Sequence, residues 1–156
     1  MVNDEPAILW SPRSSKAMKI AANHAGTTPG QGVGTLHLLL GLLEVRASAA
    51  GTFLRPFGID HAAVNSRLAA GELQETSQSV SERWTEAARS VFRTAREWAE
   101  HNRCTVVTSE LLLMAMMRTK CDARVCVSGL GADPEAVCVE TLEYLGFSEP
   151  GASRNE

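Results

Sequence analysis

The chain is 156 residues long, 44% hydrophobic, with a formal net charge of -3. That length and composition suit a globular protein with one buried core. The slight acidic balance gives no general attraction to nucleic acid or anionic membranes, which both require clustered excess Lys and Arg.

No run approaches the ~18–20 apolar residues of a membrane span; the best, Leu36 to Val45, is broken by His37, Gly41 and Glu44. The first residues, Met1-Val2-Asn3-Asp4-Glu5-Pro6, are acidic where a secretory signal is basic and then apolar, so the expected location is cytoplasmic. In chain order, Ser11 before Pro12 reads as the N-cap of a first helix, with Ala17, Met18, Ala21 and Ala25 on one face. Thr35 reads as the cap of a second helix whose body, Leu36 to Leu43, is apolar nearly all round and therefore buried. A third helix ends at Gly58, and Asp60 caps a fourth.

The segment from Gly71 to Arg83 is polar, with Glu72, Gln74, Glu75, Thr76, Ser77, Gln78, Ser79 and Ser81, and reads as an exposed linker. After it the series runs again. Thr85 caps an amphipathic helix over 86–101, whose stripe is Ala88, Val91, Phe92, Ala95, Trp98 and Ala99. Thr108 caps a second apolar helix, Leu111 to Met117; Gly131 ends a third, and Asp133 before Pro134 opens a fourth. The tail from Ser148 to Glu156 is expected to fray.

The two halves superpose as sequence. Trp10-Ser11-Pro12 falls over Trp84-Thr85-Glu86 at an offset of 74, while Thr35 to Leu40 falls over Thr108 to Leu113, and Phe57-Gly58-Ile59-Asp60 over Leu130-Gly131-Ala132-Asp133, at 73. Three blocks in constant order define an internal repeat. The expectation is an all-α, pseudo-twofold bundle of two four-helix repeats, eight helices in all, with little room for a strand. Repeat one covers 7–71, the linker 72–83, repeat two 84–147 and the tail 148–156.

Signals of chemistry are sparse. Cys104, Cys121, Cys126 and Cys138 contain no C-x-x-C pair and have no nearby His-x-x-x-His, so no metal is expected there and they read as small buried hydrophobes. Gly30-Gln31-Gly32-Val33-Gly34-Thr35 lacks the lysine of a phosphate-binding loop, so no nucleotide or other cofactor is expected. No Ser or Cys has a nucleophile context such as G-x-S-x-G. His37 is a lone histidine in the first turn of the second helix, with no carboxylate or metal partner at helical spacing, and is not read as catalytic; His24, His61 and His101 fall near helix ends and loops. No catalytic residue is assigned, and the chain is read as a non-enzyme.

The aromatic and Ser/Thr cap, the Gly-Thr-x-His-Leu-Leu-Leu-Gly-Leu-Leu block of Gly34 to Leu43, and Phe57-Gly58-Ile59-Asp60 resemble the Clp N-terminal domain, especially that of ClpC-type chaperone ATPases. The resemblance covers about residues 7–146. It implies a receiving domain for substrates and adaptors, here without the ATPase modules. It also implies that such a domain modulates Clp-dependent proteolysis by binding substrates, adaptors or the Clp ATPase.

ClpC-type members place a Glu after the Gly-Thr of each repeat, where it recognises the guanidinium of phosphoarginine. The matching positions here hold Leu36 and Ser109, a neutral pair that offers no such charge-assisted bond. Glu110 is one step along the helix, roughly 100° away.

The resemblance further implies a groove where the first helices of the repeats meet. Its matching positions are Ala7, Met18, Lys19 and Ala22 from repeat one, and Trp84, Arg89, Phe92, Arg93 and Arg96 from repeat two. Trp84 is the leading candidate, as a binding anchor or as a residue packed on its own helix. Phe92 and Met18 share stripes with core residues. Arg89, Arg93 and Arg96 form a basic strip that either meets an acidic partner or pairs with Glu86, Glu97 and Glu100 of the same helix. In actinobacterial members the groove takes cyclic peptide antibiotics, so a decoy that sequesters such peptides is the alternative function.

Overall fold

The computed structural model describes residues 9–26, 32–45, 48–71, 75 and 83–150. Eight α-helices lie among them: α1 (Pro12–Ala25), α2 (Thr35–Glu44), α3 (Ala49–Leu54), α4 (His61–Ala69), α5 (Glu86–His101), α6 (Ser109–Arg118), α7 (Asp122–Gly129) and α8 (Pro134–Leu145). A 3-10 turn, Arg55–Phe57, follows α3, and two-residue strands β1 (Leu9–Trp10) and β2 (Val106–Val107) precede α1 and α6.

Side-chain caps explain where most of these helices start. The oxygens of Ser11, Asp60, Thr85, Thr108 and Asp133 accept from Ser14, Ala63, Ala88, Leu111 and Glu135 N–H groups, satisfying donors that the first helical turn leaves open. Thr35 departs from expectation. α2 begins one residue early, with Gly34 as N-cap and Thr35 as its first helical residue. The cap role passes to His37, whose Nδ1 accepts the Gly34 N–H at 3.0 Å. Thr35 is thereby released to bind Glu75 through both its hydroxyl and its N–H.

The core is built around α2 and α6. From Thr35 to Leu42 and from Leu111 to Met117 every residue is buried. Each such large apolar side chain contributes about 1.5–3 kcal/mol against exposure. α1 meets α2 through Ala17, Ala21 and Ala25, and the approach is so close that a Cβ on Gly41 would stand 2.2 Å from the Ala17 carbonyl oxygen. Only glycine fits there. α5 buries its expected stripe of Ala88, Val91, Phe92, Ala95, Trp98 and Ala99.

The two repeats are interleaved by short strand pairings that the expectations lacked. β1 runs parallel to β2, with Leu9 opposite Val106 and Trp10 opposite Val107. Its counterpart is a single parallel bridge between Trp84 and Val33. Each repeat's leading residues thus pair with the segment before the other repeat's second helix. Ser11 N–H donates to the Val107 carbonyl and Thr85 N–H to that of Val33, both at 3.0 Å.

Two stretches expected to be loose are anchored where they are described. Ser148 N–H donates to Asn102 Oδ1 at 3.0 Å, and Glu149 accepts from Arg118 at 3.0 Å, so the tail is fastened at its start. Residues 151–156 lie outside the described residues. In the linker, Glu75 is half-buried rather than exposed.

Candidate functional site

α1 and the residues just before α5 enclose a surface depression of about 320 Å³, lined by Met18, Lys19, Ala22, Asn23, Arg83 and Trp84. Four of the nine positions expected in the groove therefore come together: Met18, Lys19, Ala22 and Trp84. Helical spacing puts Met18, Lys19, Ala22 and Asn23 on one side of α1, while the bridge to Val33 fixes Trp84 opposite them. Asn23 and Arg83 were not anticipated; Asn23 follows from the i, i+4 relation to Lys19, and Arg83 from adjacency to Trp84.

The other expected positions lie elsewhere. Ala7 falls outside the described residues. Phe92 is only 8% exposed and forms the floor between the two tryptophans. Its ring stands edge-on to Trp84 at 4.9 Å and to Trp10 at 5.3 Å between centroids, the T-shaped geometry that aromatic quadrupoles favour. Trp84 thus packs on its own helix and still borders the depression, while Trp10 packs across onto α5.

The arginine strip is engaged internally. Arg89 and Arg93 reach Glu86 at 2.8 and 3.0 Å. The hydrogen bond from Arg93, followed by the charge of Arg89, holds the Glu86 carboxyl below its usual range. At this exposed site such pairs contribute little stability. The Arg96 guanidinium lies over the Trp10 ring, 5.2 Å from its centroid. Lys19 and Arg83, rather than the strip, are the cations bordering the depression.

The most connected polar residue described beside Trp84 is Glu75. One carboxylate oxygen accepts the Thr35 N–H at 2.8 Å and the Thr85 hydroxyl at 2.9 Å; the other accepts the Thr35 hydroxyl and the Asp122 N–H, the latter at 2.6 Å. Its own N–H donates to Asp122 Oδ2 at 3.0 Å. Three helix starts, those of α2, α5 and α7, converge on one anion, where their backbone dipoles favour negative charge. No sequence signal singles Glu75 out from the other polar residues of its segment. His37, next to this cluster, has its pKa lowered mainly by burial, then by the charge of His24.

A second depression, of about 590 Å³, lies between α7 and α8 around Arg124, Val125 and Pro134, where Val125 is 67% exposed. Cys121, Cys126 and Cys138 are buried, as their reading as small hydrophobes expects, whereas Cys104 is half-buried. Burial pushes the Cys121 and Cys138 thiols up to about 11, which leaves them unreactive near neutral pH. Among the described residues no helix is long and apolar enough to cross a membrane.

Residues 10–145 match the family described as the Clp repeat (R) N-terminal domain. The chain belongs to this family. The fold agrees with solved Clp N-domains at low identity. The N-terminal domain of the caseinolytic protease associated chaperone ClpD from Arabidopsis thaliana shares 17% identity at a TM-score of 0.68, with 93% of this chain and 99% of that one covered. The Hsp104 N-terminal domain from Candida albicans shares 15% at 0.71, covering 90% and 94%. A ClpV N-domain in complex with a VipB peptide shares 15% at 0.65, covering 94% of each. No curated protein matches the sequence. Within this Clp N-domain, the depression lies between α1 of the first repeat and Arg83 and Trp84, which precede α5 of the second.

Proposed function

We propose that this Clp N-domain is a non-catalytic module that binds proteins or peptides at the depression between α1 and Trp84. The observation that carries the reading is the convergence of Met18 and Trp84, both half-buried, with the exposed cations Lys19 and Arg83 around one recess. Tryptophan and arginine are the residues that most often anchor interfaces. The complement is a peptide segment with one large apolar side chain and an adjacent carboxylate. That a ClpV N-domain is solved with a VipB peptide supports peptide binding as a use of the fold.

By this reading the module modulates Clp-dependent proteolysis in the cytoplasm, by competing for substrates or adaptors or by meeting the Clp ATPase. Competition needs only mass action: an added receptor surface lowers free ligand without turnover. The size of the recess bears on the alternative, sequestration of cyclic peptide antibiotics. About 320 Å³ is at the small end of ligand pockets and holds one or two side chains. A macrocycle would lie across it rather than inside, so a linear segment is favoured.

The test is a pull-down from host lysate with the tagged chain beside Trp84→Ala and Lys19→Glu variants, read by mass spectrometry, with circular dichroism to check helicity. Clp ATPase, adaptor or substrate proteins should be captured by the wild type and lost from both variants. Equal capture by all three baits would remove the assignment to this recess. If none captures a protein, titration with cyclic peptides decides the alternative.

A further inference from the structure

Three helix ends of repeat one bring together a donor set that the sequence keeps far apart. His24 sits in the last turn of α1, Glu44 is the final residue of α2, and His61 is the first of α4. His24 Nε2 lies 2.6 Å from Glu44 Oε2, and His61 Nε2 lies 3.6 Å from the same oxygen. One ligand atom from each residue falls within 4.8 Å of the others. We propose that His24, Glu44 and His61 form a binding site for a borderline divalent transition-metal cation, of which zinc is the type.

Ligand chemistry supports the assignment. Two imidazoles and one carboxylate are a donor set zinc takes in sites with an open fourth position, at ~2.0–2.2 Å from the ion. Tetrahedral ligands at that range stand about 3.3 Å apart. The pair at 3.6 Å is close to that separation, and the pair at 2.6 Å needs to open by less than about 1 Å. With side-chain exposures of 30%, 36% and 40% for His24, Glu44 and His61, small rotations suffice and an ion has access from solvent.

A simple ion-pair cluster accounts less well for the third member. His61 Nε2 is buried as an atom and has no hydrogen-bond partner among the described residues. That nitrogen is aimed at the shared carboxylate oxygen from beyond hydrogen-bond reach, the arrangement a cation between them would satisfy. The ligands stand on three separate helices, so their convergence is set by backbone packing rather than by one flexible loop. Hard cations such as magnesium prefer all-oxygen sites and are excluded by the two imidazoles. Bound metal would clamp the end of α1, the helix that carries Met18, Lys19, Ala22 and Asn23, to α2 and α4.

Calorimetric titration of zinc chloride into the chelator-stripped full chain tests the site, beside His24→Ala, His61→Ala and Glu44→Gln variants. The expected result is one zinc per chain, a melting temperature raised by several degrees, and at least a tenfold weaker affinity in each variant. Magnesium chloride should produce no response. Affinity unchanged in all three variants would assign the zinc to another group, such as the Cys104 thiol, and overturn the proposal. So would the absence of any binding at about 100 µM zinc, roughly a hundredfold above a micromolar dissociation constant.

Discussion

The interleaving of the repeats creates two crossings of the same design, and they are closed by different chemistry. Where β1 meets β2, Ser14 is fully buried and its hydroxyl donates to the Val107 carbonyl at 2.9 Å, while Ser11 and Ser14 share a further hydrogen bond. Where Trp84 meets Val33, the carboxylate of Glu75 fills the equivalent role and gathers three helix starts. The tryptophans diverge in the same way. Trp10 is covered by Arg96, whereas Trp84 borders the recess. The neutral crossing is thus closed and structural, and the charged one is fastened by the linker beside the candidate binding surface.

The largest expected effect on this contrast is at Glu75. Glu75→Gln keeps the shape but turns an amide N–H₂ toward donors and removes the charge, at a cost of about 2 kcal/mol. Urea unfolding should show it, and a loss below about 0.5 kcal/mol would make the two crossings equivalent. Ser14→Ala should cost less, about 1 kcal/mol, because the Val107 carbonyl keeps its bond from Ser11 N–H. The same unfolding series gives the ranking, and a reversed order would break the comparison.

Arg96→Ala should cost only about 0.5 kcal/mol while uncovering Trp10. Its sharper readout is fluorescence: acrylamide quenching should rise in Arg96→Ala and stay at the wild-type level in Arg93→Ala, since Arg93 contacts Glu86 instead. The smallest effect is a pH dependence confined to the Glu75 side. His37 must remain neutral to accept from Gly34 N–H, and its pKa is lowered by burial. Below about pH 6.5 the unfolded chain takes up a proton that the folded chain refuses, so stability is full above that pH and falls as pH drops toward the folded pKa. His37→Gln should flatten the fall in urea midpoint between about pH 7 and pH 5.

Local patterns in the sequence reached the helices but not the contacts between them. Ser11, Thr85, Thr108, Asp60 and Asp133 cap as their positions predict because capping acts within three residues. The stripe of α5 and the all-round apolar character of α2 and α6 are likewise visible in a short window. Thr35 failed as a cap because its partner, Glu75, is 40 residues away. The crossings link residues such as Ser14 and Val107, 93 apart, and no periodicity reports that. The same holds for His24 and His61, which read singly as residues near helix ends and loops, and for Glu44, which read only as a break in an apolar run. Of the expected groove positions, Met18, Lys19, Ala22 and Trp84 line the depression, whereas Arg89 and Arg93 do not and contact Glu86.

The strand crossings also set a timetable for the chain as it is made. Trp10 leaves the ribosome well before its partner Val107, which is 97 residues further on. At synthesis rates of ~5–20 residues per second, repeat one waits roughly 5–20 s for the strand that completes it. Neither repeat can finish its packing as a unit of its own. The nascent first half therefore spends that interval with Leu9 and Trp10 unpaired and α1 lacking the neighbour that closes its start, and it is in this window that the chain is most exposed to misassembly.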